Sequence, residues 1–393
     1  MVNRFLNDAL PTIHADRRAT LGAAVLTALR GNPLTVTALG RGLDSTAKEK
    51  HRIKRIDRLL SNPHLDAARM KVYAYFAACL VSANSRPVIL IDWSDLDGAK
   101  RYFLLRAAVP VSGRALTLYE EIHPLSARDK PTTHDAFLQH LHTLLPANTK
   151  PILITDAGFR NVWFKQVLAL GWDYLGRLRG RQQIQWPNSP QWQNLKHFYT
   201  EVTPKARCQG QVTLTRSNPL VSRVVTTRLK KKHRTYVTKF GKRATARHSE
   251  RHVVSANEPW VLATSLDASH FTPARIVQLY ALRMQLEESF RDLKSIRFGL
   301  GCEVARSIHQ HRFAALLLIA ALTLFIAWMI GAAAQHRGLT SDYQANTIRH
   351  RPVLSLSFLG KRVVCERRWC FSHSDILAAL QLLKNLLAQH AQR

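Results

Sequence analysis

Tyr280, Arg283, Glu287 and Lys294 are the residues best placed to do chemistry. At about 100° per residue, all four fall within about 60° of arc on one helix face. Leu282, Leu286 and Leu293 form a separate apolar face about 110° away. A carboxylate between two cations and a phenol suits a charged phosphate: the carboxylate binds metal, while the cations and the hydroxyl hold phosphate oxygens. The competing reading is a solvated face carrying an i,i+4 ion pair.

Two other segments weigh against that plainer reading. Residues 87–92 (PVILID) and 151–156 (PILITD) are short apolar runs that each end in an aspartate. Such runs predict central strands buried on both faces. In open α/β sheets, ligands gather at the carboxyl ends of strands. Asp92, Asp156 and Glu287 would then form a three-carboxylate cage for hard cations, which prefer oxygen ligands. A lone Asp after a strand is otherwise a turn residue or a helix cap. Asp95 and Asp97 remain open as ligands, but only Asp92 directly ends the apolar run. Glu288 points about 100° away from Glu287, which favours Glu287 as the ligand.

The 393-residue chain is long enough for two or three domains. It carries 57 Lys and Arg against 26 acids, a formal net charge of +31. That excess implies a polyanionic partner, nucleic acid first and anionic lipid as the competitor. The five cysteines (Cys79, Cys208, Cys302, Cys365, Cys370) form no C-x2-C pair, which argues against a disulfide framework or a structural zinc. They read as reduced thiols of a cytoplasmic protein. His123 and His134 read as structural, and His309-Gln-His311 lacks the spacing of a helical metal pair. Residues 1–18 lack the apolar core of a signal peptide. Residues 313–335 hold no charge and by length could cross a membrane. Their Ala-rich composition and place just behind the candidate helix favour a buried core helix, with no membrane.

The order of elements predicts a mixed α/β sheet. Strands are expected at 87–92, 101–109 and 114–122, with turn signals at Asp97-Gly98 and Ser112-Gly113. A helix at 133–145, a strand at 151–156, a helix at 161–170 and a strand at 174–178 follow. Residues 1–80 read as a helical DNA-binding domain, with a helix and turn at 34–43 and a basic helix at 46–60 (Lys48, Lys50, Arg52, Lys54, Arg55, Arg58) in helix-turn-helix order. A solvated charged helix is the alternative there. The core pattern covers 81–180 and resumes over 269–340. Between them, 181–268 reads as a β-rich insertion touching DNA backbone. Residues 223–251 hold eleven Lys or Arg and one acid, Glu250, and the runs at 212–215 and 224–227 argue against full disorder. In the C-terminal region, 341–393, residues 355–364 look like a strand or loop and 374–390 like an amphipathic helix that packs on the core or on a second subunit.

Tyr280-x2-Arg283-x3-Glu287-x6-Lys294 resembles the Y-R-E-K signature of the insertion-sequence-four family of DDE transposases. Asp92 in IDWSD and Asp156 in TDAGF match the family's other two catalytic positions in setting and order. The resemblance runs from the basic N-terminus through about residue 300. It implies an RNase H-like core interrupted by a β-rich insertion, and two divalent ions, Mg²⁺ with Mn²⁺ as a substitute, on Asp92, Asp156 and Glu287. Phosphodiester cleavage needs an activated water and a stabilised leaving oxygen, which two metals about 4 Å apart provide. Charge on the transition state then spreads onto Arg283 and Lys294, and Tyr280 positions a phosphate. Trp260 in EPWVLAT matches the family's stacking tryptophan, which takes up a flipped base during hairpin formation. A core tryptophan on a buried strand is the alternative. Ala157 stands where relatives carry a polar residue, a role Arg160 could take over.

The expected function is therefore an insertion-sequence transposase. It binds the terminal inverted repeats of its mobile element as double-stranded DNA and nicks them as a Mg²⁺-dependent endonuclease. Strand transfer to target DNA follows by cut-and-paste through a hairpin, and a homodimer pairs the two ends. A non-catalytic protein that still recognises transposon ends is the alternative.

Overall fold

The computed structural model describes residues 6–7, 10–11, 13–81, 85–96, 100–200, 202–229, 257–307, 309–348 and 350–391. The chain is a mixed α/β protein of two compact units. Residues 1–151 and 283–393 form the first, and 152–282 the second.

The first unit opens with helices. α1 (Ala15–Leu29) buries Leu21, Ala24, Val25, Ala28 and Leu29. Thr35 caps α2 (Val36–Arg41) by accepting from the Ala38 amide. α3 (Glu49–Leu60) crosses α2 closely, because a Cβ on Gly40 would fall 2.5 Å from the Ile53 Cα. The helix and turn expected at 34–43 and the basic helix expected at 46–60 thus exist in shortened form. Two of the six basic residues serve the fold: Arg52 donates to the Arg41 and Leu43 carbonyls, and Arg55 to Thr20 Oγ1. Lys48, Lys50, Lys54 and Arg58 stay exposed. α4 (Pro63–Val81) follows.

β1 (Val88–Asp95), β2 (Tyr102–Pro110) and β3 (Ala115–Pro124) pair antiparallel in the order β3-β2-β1. They begin and end within three residues of the expected strands. Ser112 and Gly113 both have positive φ, 59° and 79°, as a two-residue hairpin turn requires. The turn signal at Asp97-Gly98 lies outside the described residues. The register sets Asp92 opposite Arg106, and Arg106 opposite Glu120. Opposed residues in an antiparallel pair share a face, so these three form a row across the sheet. α5 (Pro131–Leu144) closes this part, with proline in its first turn.

In the second unit β4 (Ile152–Thr155) and β5 (Asp173–Leu178) are parallel, joined through α6 (Asn161–Ala169). Residues 181–268 supply β6 (Gln183–Gln185), β7 (Trp192–Asn194), β8 (Arg207–Leu214), β9 (Leu220–Thr227) and β10 (Trp260–Thr264). β10 bonds to β5 on one side and β9 on the other, so these strands extend the β4-β5 sheet in the order β4-β5-β10-β9-β8-β6-β7. The alternating run at 212–215 falls on the end of β8, with Thr215 just beyond it, and the β-branched run at 224–227 falls on β9. Most of the basic stretch that follows, 230–256, is outside the described residues. α7 (Pro273–Ala281) starts at Thr272, whose hydroxyl caps the Arg275 amide.

The chain then re-enters the first unit with α8 (Met284–Lys294). The single helix expected across 280–294 is therefore two helices. Leu282 and Arg283 keep right-handed backbone angles, but Leu282 N bonds to Leu279 O and Leu286 N to Arg283 O, tighter turns that interrupt the regular ladder. α9 (Gln310–His336) is long and apolar enough to cross a membrane, yet it is buried inside this unit over nearly its whole apolar length. α10 (Thr340–Tyr343), α11 (Leu356–Glu366) and α12 (His373–Ala391) complete the chain.

α11 corrects the strand or loop expected at 355–364. Ser355 caps it through the Phe358 amide, and Leu359, Gly360 and Val363 form its buried stripe. The alternation of Ser and Leu in 354–357 suggested a strand period, while helical spacing of the buried residues and contact with α9 decide the outcome. That contact is glycine-made: a Cβ on Gly360 would lie 1.9 Å from Ala327 O, and one on Gly331 1.9 Å from Leu356 O. Gly360→Ala is expected to lower the stability of this unit by about 1–3 kcal/mol, as overpacked cores do. A thermal melt with an unchanged midpoint would show that the two helices are not in such close contact.

Candidate active site

The site in the first unit is built from the second half of β1, where the strand runs three residues past Asp92 to Asp95, and one face of α8. Asp92 is 7% exposed. Its Oδ1 accepts from the Trp93 amide at 2.8 Å, and its Oδ2 from Arg283 Nη1 at 2.7 Å. The same Nη1 reaches Glu287 Oε1 at 3.0 Å. One guanidinium nitrogen thus gathers two carboxylates from a strand and a helix 191 and 4 residues away in sequence.

Farther along α8, Lys294 Nζ donates to Asp95 Oδ1 at 2.9 Å. Burial raises the pKa of Asp95, but the Lys294 hydrogen bond and charge outweigh it and hold the carboxyl below the usual carboxylate range. Glu287, Lys294, Asp95 and Trp93 line a cleft of about 420 Å³ together with Lys100 and Arg128. Glu288 lies elsewhere, paired with Arg114 at 3.8 Å and with Arg291. Asp97 is outside the described residues.

Another face of α8 fixes its position. Gln285 Oε1 accepts from the Val111 amide at 3.0 Å. Ser289 Oγ accepts from the Ala115 amide at 2.8 Å, and its proton has the Ala115 and Gln285 carbonyls in reach. Asp292 takes the Arg114 guanidinium. These residues, at i, i+4 and i+7, staple the helix to the β2-β3 turn. Beneath it Phe290 lies on the Arg106 guanidinium, 5.2 Å from ring centre. Arg106 and Glu120 form an ion pair only 1% exposed, to which the Tyr73 hydroxyl adds a hydrogen bond.

Neither the staple nor the buried pair was among the candidates read from the sequence. Ser289 and Gln285 look like solvated helix residues in a string of letters. The Arg106–Glu120 pair leaves one signal, two opposite charges inside otherwise apolar strands.

Four candidates belong to the second unit. Asp156 follows β4 directly, is partly exposed, and its Oδ1 accepts from the Gly158 amide at 2.8 Å. Arg160, exposed, precedes α6. Trp260 opens β10, and its ring meets that of Tyr280 edge to face, 4.8 Å between centres and 78° between planes. Tyr280 is 3% exposed. Arg177 donates to the Glu258 and Pro259 carbonyls, and Arg179 to Glu258 Oε2, which anchors the residues just before Trp260.

The donor chemistry of Asp92 and Glu287 fits a hard divalent ion, because two carboxylates already converge on one positive charge. Among the described residues, no group of three or more His, Cys, Asp or Glu is arranged to hold a metal. All five cysteines are free.

A family model described as a transposase DDE domain matches residues 83–325, more than half of the chain. Asp92, Asp156, Arg160, Trp260, Tyr280, Arg283, Glu287 and Lys294 all lie within that stretch. No curated protein matches the chain significantly.

Behind the site, His134 Nε2 accepts from the Trp93 indole at 3.1 Å, next to Asp92 in sequence. Burial and the charge of His123 push His134 down to about 4 from an ordinary 6.5. The unfolded chain therefore binds a proton that the folded chain refuses. Stability from this residue is complete above about pH 6.5 and is lost as pH falls toward 4, on the order of 2–3 kcal/mol in total. Urea unfolding at pH 7.5 and pH 5.0 should show that loss, and His134→Gln should flatten it; equal losses in both proteins would rule His134 out as the cause.

Proposed function

This chain belongs to the transposase DDE-domain family, which makes it a metal-dependent DNA-cleaving enzyme, and we propose that it is a cut-and-paste transposase of the insertion-sequence-four family. Its substrate is the double-stranded DNA of its element's inverted repeats, and then target DNA. The observation that carries this reading is the convergence of Asp92 and Glu287 on Arg283 Nη1.

Asp92, Asp156 and Glu287 are the residues that would hold the divalent ions, Mg²⁺ by their all-oxygen chemistry. Bound there, the ions supply an activated water and a stabilised leaving oxygen. Arg283 and Lys294 take phosphate oxygens and spread the charge that builds on the transferring group. In the resting arrangement both cations are held by carboxylates, Arg283 by Asp92 and Glu287, Lys294 by Asp95. Lys294 lines the same cleft as Glu287 and is thus pre-aimed into it, at little further cost in side-chain order.

Tyr280 orients a phosphate through its phenol. Trp260, anchored through the Glu258 segment, stacks on the base displaced when the cut strand turns back as a hairpin. Exposed Lys48, just before α3, and Lys50, Lys54 and Arg58 on it, with Arg160 and the basic residues of 223–251, hold the DNA backbone. Two copies would pair the two ends. The DNA substrate places the enzyme in the cytoplasm, on the nucleoid.

A cleavage assay on DNA carrying the inverted repeats that flank its own reading frame tests this. Asp92→Ala and Glu287→Gln should abolish Mg²⁺-dependent nicking while end binding persists. Lys294→Ala should slow it about 10²-fold, the cost of losing one preorganised charge contact. Cutting that survives Asp92→Ala would end the proposal.

A further inference from the structure

Residues 295–300 follow Lys294 and form a loop that is rigid and yet presents large apolar side chains to solvent. Its backbone is tied at almost every residue. Ser295 N bonds to Arg291 O, Gly299 N and Gly301 N to Ser295 O, and Leu300 N to Asp292 O at 2.8 Å. Side chains add to this: Ile296 N donates to Glu303 Oε1, Phe298 N to Ser295 Oγ, and Lys361 Nζ to Gly299 O at 2.8 Å. A Cβ on Gly299 would stand 2.0 Å from Asp292 O, so the loop can lie this close to α8 only with glycine there. On this frame Ile296 is 56% and Phe298 54% exposed, with the Arg297 guanidinium 4.9 Å from the Phe298 ring centre.

Single exposed apolar residues are ordinary. Two on one immobilised loop, with a guanidinium against the ring, are a prepared surface. Ordering has already been met by the fold, so a partner would be held at little entropic cost. The chemistry is specific: an aromatic face with an adjoining guanidinium receives a flat aromatic ring, and the Arg297 charge beside it attracts phosphate. An unpaired nucleic-acid base with its backbone offers both. A paired base inside a duplex offers neither of its faces.

We propose that Phe298, supported by Ile296 and Arg297, is a stacking platform for an unpaired DNA base next to the α8 cleft. This rests on DNA being the substrate, and it assigns a base contact separate from that proposed for Trp260. The platform would favour an end that is frayed or single-stranded over one that is fully paired.

The test uses the full chain and two synthetic probes, a blunt duplex and the same duplex with one unpaired 2-aminopurine at its end. Binding should quench the unpaired 2-aminopurine. Phe298→Ala should remove that quenching and weaken binding of this probe about ten-fold, the modest end of a lost base stack, with blunt-duplex binding nearly unchanged. Phe298→Leu keeps the apolar volume and should also lose the quenching, which guards against misfolding of the alanine variant; Phe298→Trp should restore it. Unchanged quenching and affinity in both Phe298→Ala and Phe298→Leu would overturn the proposal. So would a change confined to self-association in sedimentation without DNA, which would make the loop a protein contact. Glu287→Gln separates this from the proposed function: it should lose cutting and keep the quenching, so either idea can fail alone.

Discussion

Two carboxylates on one guanidinium nitrogen organise the first unit. Asp92 and Glu287 both reach the same nitrogen, and without a cation between them their like charges would repel. Arg283 prevents that, because a guanidinium stays charged in a protein at any working pH. Arg283 sits at the tight turn before α8, where its side chain meets both Glu287, one turn on, and Asp92 within β1.

That contact has value only if α8 cannot drift, and the remainder of the unit is arranged to stop it. Polar bonds from Gln285, Ser289 and Asp292 fix its height over the β2-β3 turn, while apolar Leu286, Phe290 and Leu293 fix its depth. Below Phe290, Arg106 stands beside Asp92 in the row across the sheet and is neutralised by Glu120. Burying such a pair is a weak source of stability. Its effect here is directional, since a planar guanidinium held by Glu120 gives the Phe290 ring one surface to rest on.

How legible this was depends on the range of the interaction. The strands at 88–95, 102–110 and 115–124 were readable because their apolar runs are local and punctuated by turns. The polar stripe of α8 was readable for the same reason, as a period within eleven residues. The break at Leu282–Arg283 was not, since the chain keeps helical dihedrals there and nothing in the letters marks it. Residues 355–364 misled because Ser and Leu alternate for four positions, whereas the helix is settled by Gly360 meeting Ala327 on α9, a contact 33 residues away. The pairing of Lys294 with Asp95 spans 199 residues and leaves no sequence pattern.

The string from Tyr280 to Lys294 serves two structural units. Arg283, Glu287 and Lys294 belong to the first unit, and Tyr280 belongs to the second. In each, buried or half-buried arginines do the positioning: Arg106 under α8, and Arg177 with Arg179 behind the segment that leads into Trp260. Burial pushes the Arg177 pKa down, while the Glu258 carboxylate opposes that shift. Carbonyls of Glu258 and Pro259 take its donors, so its charge is spent on holding backbone rather than on ligand. The large positive charge of this chain is therefore not all available to DNA. Part of it is consumed inside the protein, where an arginine's rigid fork of donors fixes a strand end or a ring more firmly than a lysine's single ammonium would.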